Sequence, residues 1–141
     1  MPDLTVRACM HEGVISCSPD TSLEEVAETM STRGISALVV MEGKRAVGVI
    51  SKTDLVNAAF VQPYMRHWRG MSARHLMTAP VISIDPGASL ADAVRLLEAR
   101  RIHRLVVTER APDGERPVGI LSLTDVARAL AVPAPGLEAT P

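Results

Sequence analysis

Aromatic side chains are nearly missing. The 141 residues include one Phe, one Tyr and one Trp, 2% of the chain. Any core is therefore aliphatic, and stacking platforms for nucleic-acid bases have almost no material. An excess of either charge is lacking too: 15 Lys and Arg face 16 Asp and Glu, a formal net charge of -1. With no global basic field to neutralise a phosphate backbone, nucleic acid is not an expected partner. Cys9 and Cys17 are too few for a structural zinc tetrad. His11, His67, His75 and His103 show no metal-ligand spacing, so no metal is expected. No apolar run reaches the length of a membrane span, and the first residues lack the layout of a secretion signal. The expectation is a cytoplasmic chain with reduced cysteines and no membrane partner.

What the chain does have is a duplication. Shifted by 67, residues 5–42 fall on 72–109 with 14 identities in 38 positions. Among them are Arg7/Arg74, Met10/Met77, Val14/Val81, Ile15/Ile82, Pro19/Pro86, Ser22/Ser89 and Leu38/Leu105. Shifted by 71, residues 43–55 fall on 114–126 with seven more, including Gly48/Gly119, Ser51/Ser122, Thr53/Thr124 and Asp54/Asp125. The slip is a four-residue insertion, Arg110-Ala111-Pro112-Asp113, expected to lengthen a hairpin loop without disturbing its strands. Self-similarity of this kind marks repeated structural units. The expected organisation is residues 1–71 as a first repeat with connector, 72–130 as a second, and 131–141 as a disordered Ala/Pro tail.

Each copy has the same local pattern. Short apolar strands at Val14–Cys17 and Val81–Ile84 end at Pro19 and Pro86. Ser22-Leu23-Glu24-Glu25 and Ser89-Leu90-Ala91-Asp92 read as helix-starting capping boxes. Gly34 suits a left-handed stop for the first helix; Arg101 does not, which predicts a different ending for the second. Ile35–Met41 and Ile102–Thr108 are apolar, β-branched runs of the kind buried on both faces of a sheet. A second strand and a second helix, starting near Asp54 or Asp125, close each copy. The fold class is α/β (α+β), two β-α-β-β-α units. Each unit's apolar sheet cannot be covered alone, which predicts sheet-to-sheet packing of the two copies with pseudo-twofold symmetry.

This duplicated pattern resembles a tandem pair of CBS domains, the family named after cystathionine β-synthase. The motifs that carry the resemblance are Gly48-Val49-Ile50-Ser51-Lys52-Thr53-Asp54, Gly119-Ile120-Leu121-Ser122-Leu123-Thr124-Asp125 and Ile102-His103-Arg104-Leu105-Val106-Val107. The resemblance covers residues 5–55 and 72–126. It implies a regulatory module that binds an adenosine ligand in clefts between the repeats: AMP, ADP, ATP, S-adenosylmethionine or a dinucleotide. It also implies a homodimer.

Residue chemistry supports the same positions. Asp54 and Asp125 can each accept hydrogen bonds from both hydroxyls of a ribose, in charge-assisted form. Ser51, Thr53, Ser122 and Thr124, with the free amides of a helix start, suit a phosphate. Ser-x-x-Asp is equally a capping box, and one residue can serve both ends. His103 and Arg104 read either as a solvated strand end or, by family position, as phosphate ligands, Arg offering a planar charged fork. The first copy has Ser36 and Ala37 there, so the two clefts are expected to be unequal. Val14 and Val81 would line the adenine by resemblance, and are equally good core residues. Thr78 and His11 are secondary pocket candidates. Met10, Met30 and Met77 are expected to fill core. The connector 56–71 holds Phe60, Tyr64 and Trp68 beside Arg66, His67 and Arg69, a partner surface or a face packed on its own domain.

No Gly-x-Ser-x-Gly, Walker loop or histidine–carboxylate motif is present, so no catalytic residue is assigned. The expected function is non-enzymatic: an adenosine nucleotide serves as regulatory ligand, no cofactor is required, and the signal passes to a separate regulated protein. The alternatives are a structural dimerisation module with vestigial clefts, or a binder of S-adenosylmethionine or NAD(H).

Overall fold

The structure, a computed structural model, describes residues 4–60 and 67–131. Along the chain come α1 (Val6–Cys9), β1 (His11–Glu12), β2 (Ser16–Cys17), α2 (Leu23–Arg33), β3 (Ala37–Glu42), β4 (Arg45–Ser51) and α3 (Lys52–Phe60). A 3-10 turn (Trp68–Gly70) leads into α4 (Ala73–Leu76), β5 (Ser83–Ile84), α5 (Leu90–Arg100), β6 (Arg104–Ala111), β7 (Gly114–Ser122) and α6 (Leu123–Ala131). No described helix is long and apolar enough to cross a membrane. Tyr64 and Arg66 of the connector, and residues 132–141 of the Ala/Pro stretch, lie outside the described residues.

The chain forms two compact units. One is Val14–Val81; the other joins the residues up to Gly13 to those from Ile82 onward. In the first, β2 runs parallel to β3 and β3 antiparallel to β4. In the second, β5 runs parallel to β6, β6 antiparallel to β7, and β1 adds antiparallel to the far edge of β7. The units and the sequence repeats therefore have different boundaries. The leading segment of each copy packs with the other copy's body. Val6 of α1 joins the core of Leu90, Ala93, Leu97, Leu105, Val107, Leu121 and Val126. Ala73 of α4 joins the core of Leu23, Val26, Met30, Leu38, Val40, Ile50, Leu55 and Ala58.

Both cores sit between the helices and one face of a sheet. Strand alternation sends Leu38 and Val40 to that face and Val39 to the other, and all three are fully buried. Leu105, Val106 and Val107 repeat the pattern, matching strands buried on both faces. Each sheet accepts its exchanged segment at a glycine. A Cβ on Gly119 would collide with the backbone carbonyl oxygen of His11, and one on Gly48 would meet the Met77 sulfur at 2.6 Å. Glycine at these positions lets the added segment approach the strand edge.

Two local expectations are corrected. The four-residue insertion does not lengthen the loop. β6 and β7 have 8 and 9 residues against 6 and 7 in β3 and β4, and Ala111 pairs with Gly114 across a two-residue turn. Two added residues on each strand keep the inside-outside alternation intact, so the extension costs no register. Likewise α5 does end on a left-handed residue: Arg101 has φ 54° and ψ 47°, close to the 64° and 37° of Gly34. Ile35 donates its N–H to the Met30 carbonyl, and Ile102 to the Leu97 carbonyl, both at 3.0–3.1 Å. The shared hydrogen bond and its apolar follow-on contact override the side-chain penalty at Arg101. A left-handed residue other than glycine costs about 1–2 kcal/mol, partly offset by glycine's looser unfolded chain. Arg101→Gly is thus expected to stabilise the protein by about 0.5 kcal/mol and Gly34→Ala to destabilise it by about 1 kcal/mol, read from urea midpoints.

Candidate functional site

Ser-x-x-Asp does its capping at both strand-to-helix junctions. β4 ends at Ser51 and α3 begins at Lys52; β7 ends at Ser122 and α6 begins at Leu123. The backbone N–H and hydroxyl of Ser51 donate to Asp54 Oδ2 at 2.8 and 2.9 Å, and the Asp54 N–H donates back to Ser51 Oγ at 3.2 Å. In the second copy Ser122 and Asp125 make the same three bonds at 2.8, 3.0 and 3.2 Å. This closed ring replaces the loop that a strand-to-helix turn otherwise needs.

The first helical amides then fasten the neighbouring strand. Lys52 N–H donates to the Ser36 carbonyl at 2.8 Å, and Leu123 N–H to the His103 carbonyl at 3.0 Å. Sheet register places Ala37 opposite Ser51 and Arg104 opposite Ser122. His103, Arg104, Ser122, Thr124 and Asp125 consequently share one end of one sheet. Ser51, Thr53 and Asp54 share the matching end of the other, with Ser36 and Ala37 in place of the basic pair. Thr53 and Thr124 are exposed in the first helical turns, and neither hydroxyl is used among the described residues. His103 is exposed and Arg104 half-buried.

Thr78 lies beside the first junction. It exchanges backbone hydrogen bonds with Val49 at 2.8 and 3.0 Å. His11 has the equivalent place beside the second, opposite Ile120. Val14 and Val81 are half-buried at the two ends of the Val14–Val81 unit and take no part in either Ser–Asp ring.

The two carboxylates part company at their outer oxygens. Asp125 is 3% exposed, and its Oδ1 accepts from His11 Nδ1 at 3.0 Å and Arg128 Nη1 at 3.1 Å. Asp54 is less buried, and its Oδ1 accepts no hydrogen bond among the described residues. The sequence offered His11 only as a secondary pocket candidate, paired it with nothing, and left Arg128 unremarked. Arg128 stands three residues downstream, a spacing that brings helix side chains together, so that signal was present. His11 stands 114 residues away, and no local pattern connects it.

Neither cysteine is activated. Burial, and then the Asp125 charge, push the Cys9 thiol above its ordinary value. Burial and Glu25 push Cys17 up against an opposing hydrogen bond from Thr21. Both are free thiols, and the described residues contain no cluster of three metal-ligating side chains.

The profile of the CBS domain matches the chain twice, over residues 6–60 and 73–132. The chain belongs to the CBS-domain family. Its two matches and its mixed α/β fold, with two sheets and six α-helices among the described residues, make it a CBS pair. It is similar to human 5'-AMP-activated protein kinase subunit gamma-3, with 30% identity over 112 residues, covering 76% of this chain and 22% of that one. The crystal structure of CBSX2 in complex with AMP matches with a TM-score of 0.67 and 29% identity, covering 91% of this chain and 96% of that one. The CBS domain pair of protein MJ0100, crystallised with 5'-methylthioadenosine and S-adenosyl-L-methionine, shares the fold at a TM-score of 0.76 and 21% identity, covering 92% and 98%. The chain spans from about a fifth to about three fifths of the length of the curated relatives it matches.

Two outcomes are expected from this geometry. Asp54→Ala and Asp125→Ala each strand a Ser amide and hydroxyl, and should cost about 1–2 kcal/mol in chemical denaturation, with the Asn variants milder. Alkylation of Cys9 and Cys17 should be slower in the folded than the urea-unfolded protein at neutral pH. Since their raised values lower the thiolate fraction, the folded rate should still be climbing above pH 9.

Proposed function

We propose that this CBS pair is a non-catalytic sensor of an adenosine nucleotide, with AMP, ADP or ATP as regulatory ligand, acting on a separate partner protein. The observation that carries the reading is the second junction. One sheet end brings together a buried carboxylate for a ribose diol, the unused Thr124 hydroxyl, a helix start, and His103 with Arg104 for phosphate. The relatives support the ligand class: CBSX2 was crystallised with AMP, and the similar kinase subunit belongs to a 5'-AMP-activated enzyme. Regulation follows by linkage, as a ligand favouring one arrangement of the CBS pair or of a homodimer shifts the population towards it.

The first junction supports a second ligand type. Ser36 and Ala37 give it no basic pair, while Asp54 keeps an open carboxylate oxygen. That chemistry suits an adenosine compound without phosphate, such as S-adenosylmethionine.

Calorimetric titration of nucleotide-stripped protein with AMP, ADP, ATP, S-adenosylmethionine and NADH tests the reading. Saturable binding of an adenosine nucleotide is expected, with recovery of the nucleotide unchanged. Arg104→Ala should weaken a phosphorylated ligand by about tenfold or more, the worth of a charge-assisted hydrogen bond. Silence towards all five with the fold intact would favour a structural dimerisation module.

A further inference from the structure

The Asp125 carboxylate is already engaged by the protein's own hydrogen-bond donors. Its Oδ2 serves the Ser122 cap, and its Oδ1, the oxygen left for a ligand, is held by His11 and Arg128. These partners are unlike the cap. Asp125's side chain is 2% exposed, whereas those of His11 and Arg128 are 70% and 60% exposed. Neither is packed in place, and each can swing into solvent at small cost. At the first junction the repeat offsets put Thr78 where His11 stands and Asn57 where Arg128 stands. Both replacements are neutral, and Asp54 Oδ1 is open among the described residues.

We infer that His11 and Arg128 are specificity-determining residues which latch the second junction against neutral nucleosides and admit phosphorylated ones. The inference rests on the nucleotide-sensor reading and adds its selectivity. A ribose diol that takes Asp125 Oδ1 displaces two charge-assisted hydrogen bonds. A neutral nucleoside offers the released Arg128 charge nothing in return. A 5'-nucleotide carries its phosphate one ribose ring from the diol, within the sweep of a released arginine, and re-pairs the charge it displaces. Discrimination is thus a difference between two affinities, set by an arginine charge and a histidine donor that oppose one ligand and reward the other. The first junction lacks the latch and does not discriminate in this way.

The test compares AMP with adenosine. Wild type, His11→Ala, Arg128→Ala, the double variant and Arg128→Lys are titrated calorimetrically, and the His11 ring signals are followed by NMR where that residue remains. In wild type, AMP should shift the His11 signals at concentrations where adenosine leaves them in place. The double variant should bind adenosine about three- to tenfold more tightly and AMP more weakly, so the AMP-to-adenosine ratio falls about tenfold or more. Arg128→Lys should keep most of the ratio. A merely structural role would weaken both ligands in parallel; that result, or an unchanged ratio, overturns the latch and leaves the sensor standing. Binding that appears only in the double variant overturns the latch as well, since wild type should admit AMP. Silence in every variant overturns the latch and the nucleotide-sensor reading together.

Discussion

The ring of hydrogen bonds between a serine and the aspartate three residues later is the constraint on which both junctions depend. It lets β4 pass into α3, and β7 into α6, with no loop residue between. A helix start has amides without intrahelical partners, and here the first of them bonds the carbonyl of Ser36 or His103. The hairpin, the helix and the residue preceding the central strand are thereby locked at one point. The serine, threonine and aspartate of each junction are thereby presented from a strand end and a first helical turn, with His103 and Ser36 held next to them by a backbone hydrogen bond.

The exchange of leading segments places further chemistry there. Val6 and Ala73 anchor α1 and α4 in cores made chiefly by the other copy. Once anchored, each segment runs along a strand edge at a glycine that leaves room for it. His11 and Thr78 come to stand beside the junctions for this reason. The duplicated backbone hence presents two equivalent positions, which the side chains have filled differently.

That divergence is electrostatic. Around Asp125 stand His11, Arg128, His103 and Arg104; at the corresponding positions around Asp54 stand Thr78, Asn57, Ser36 and Ala37. The hydrogen bonds that build the two junctions agree within 0.2 Å, so their lengths do not distinguish them. Charge does, and charge is what separates a phosphorylated ligand from a neutral one.

Although α1, β1 and α4 escaped it, the sequence by itself determined the duplication, the β-α-β-β-α order within each copy, and the Ser-x-x-Asp caps. It did so because each signal is local: apolar alternation, β-branched runs and capping spacings act within a few residues. The left-handed Arg101 and the lengthened β6–β7 hairpin escaped it, because a shared end-of-helix hydrogen bond and strand pairing outweighed residue preference at those places. Only the tertiary structure decided which copy each leading segment completes, since α1 and α4 are four residues each, too short for a pattern that selects one core. It also decided that His11 meets Asp125 across 114 residues of chain, a contact made by sheet register and core packing, which have no counterpart in local spacing.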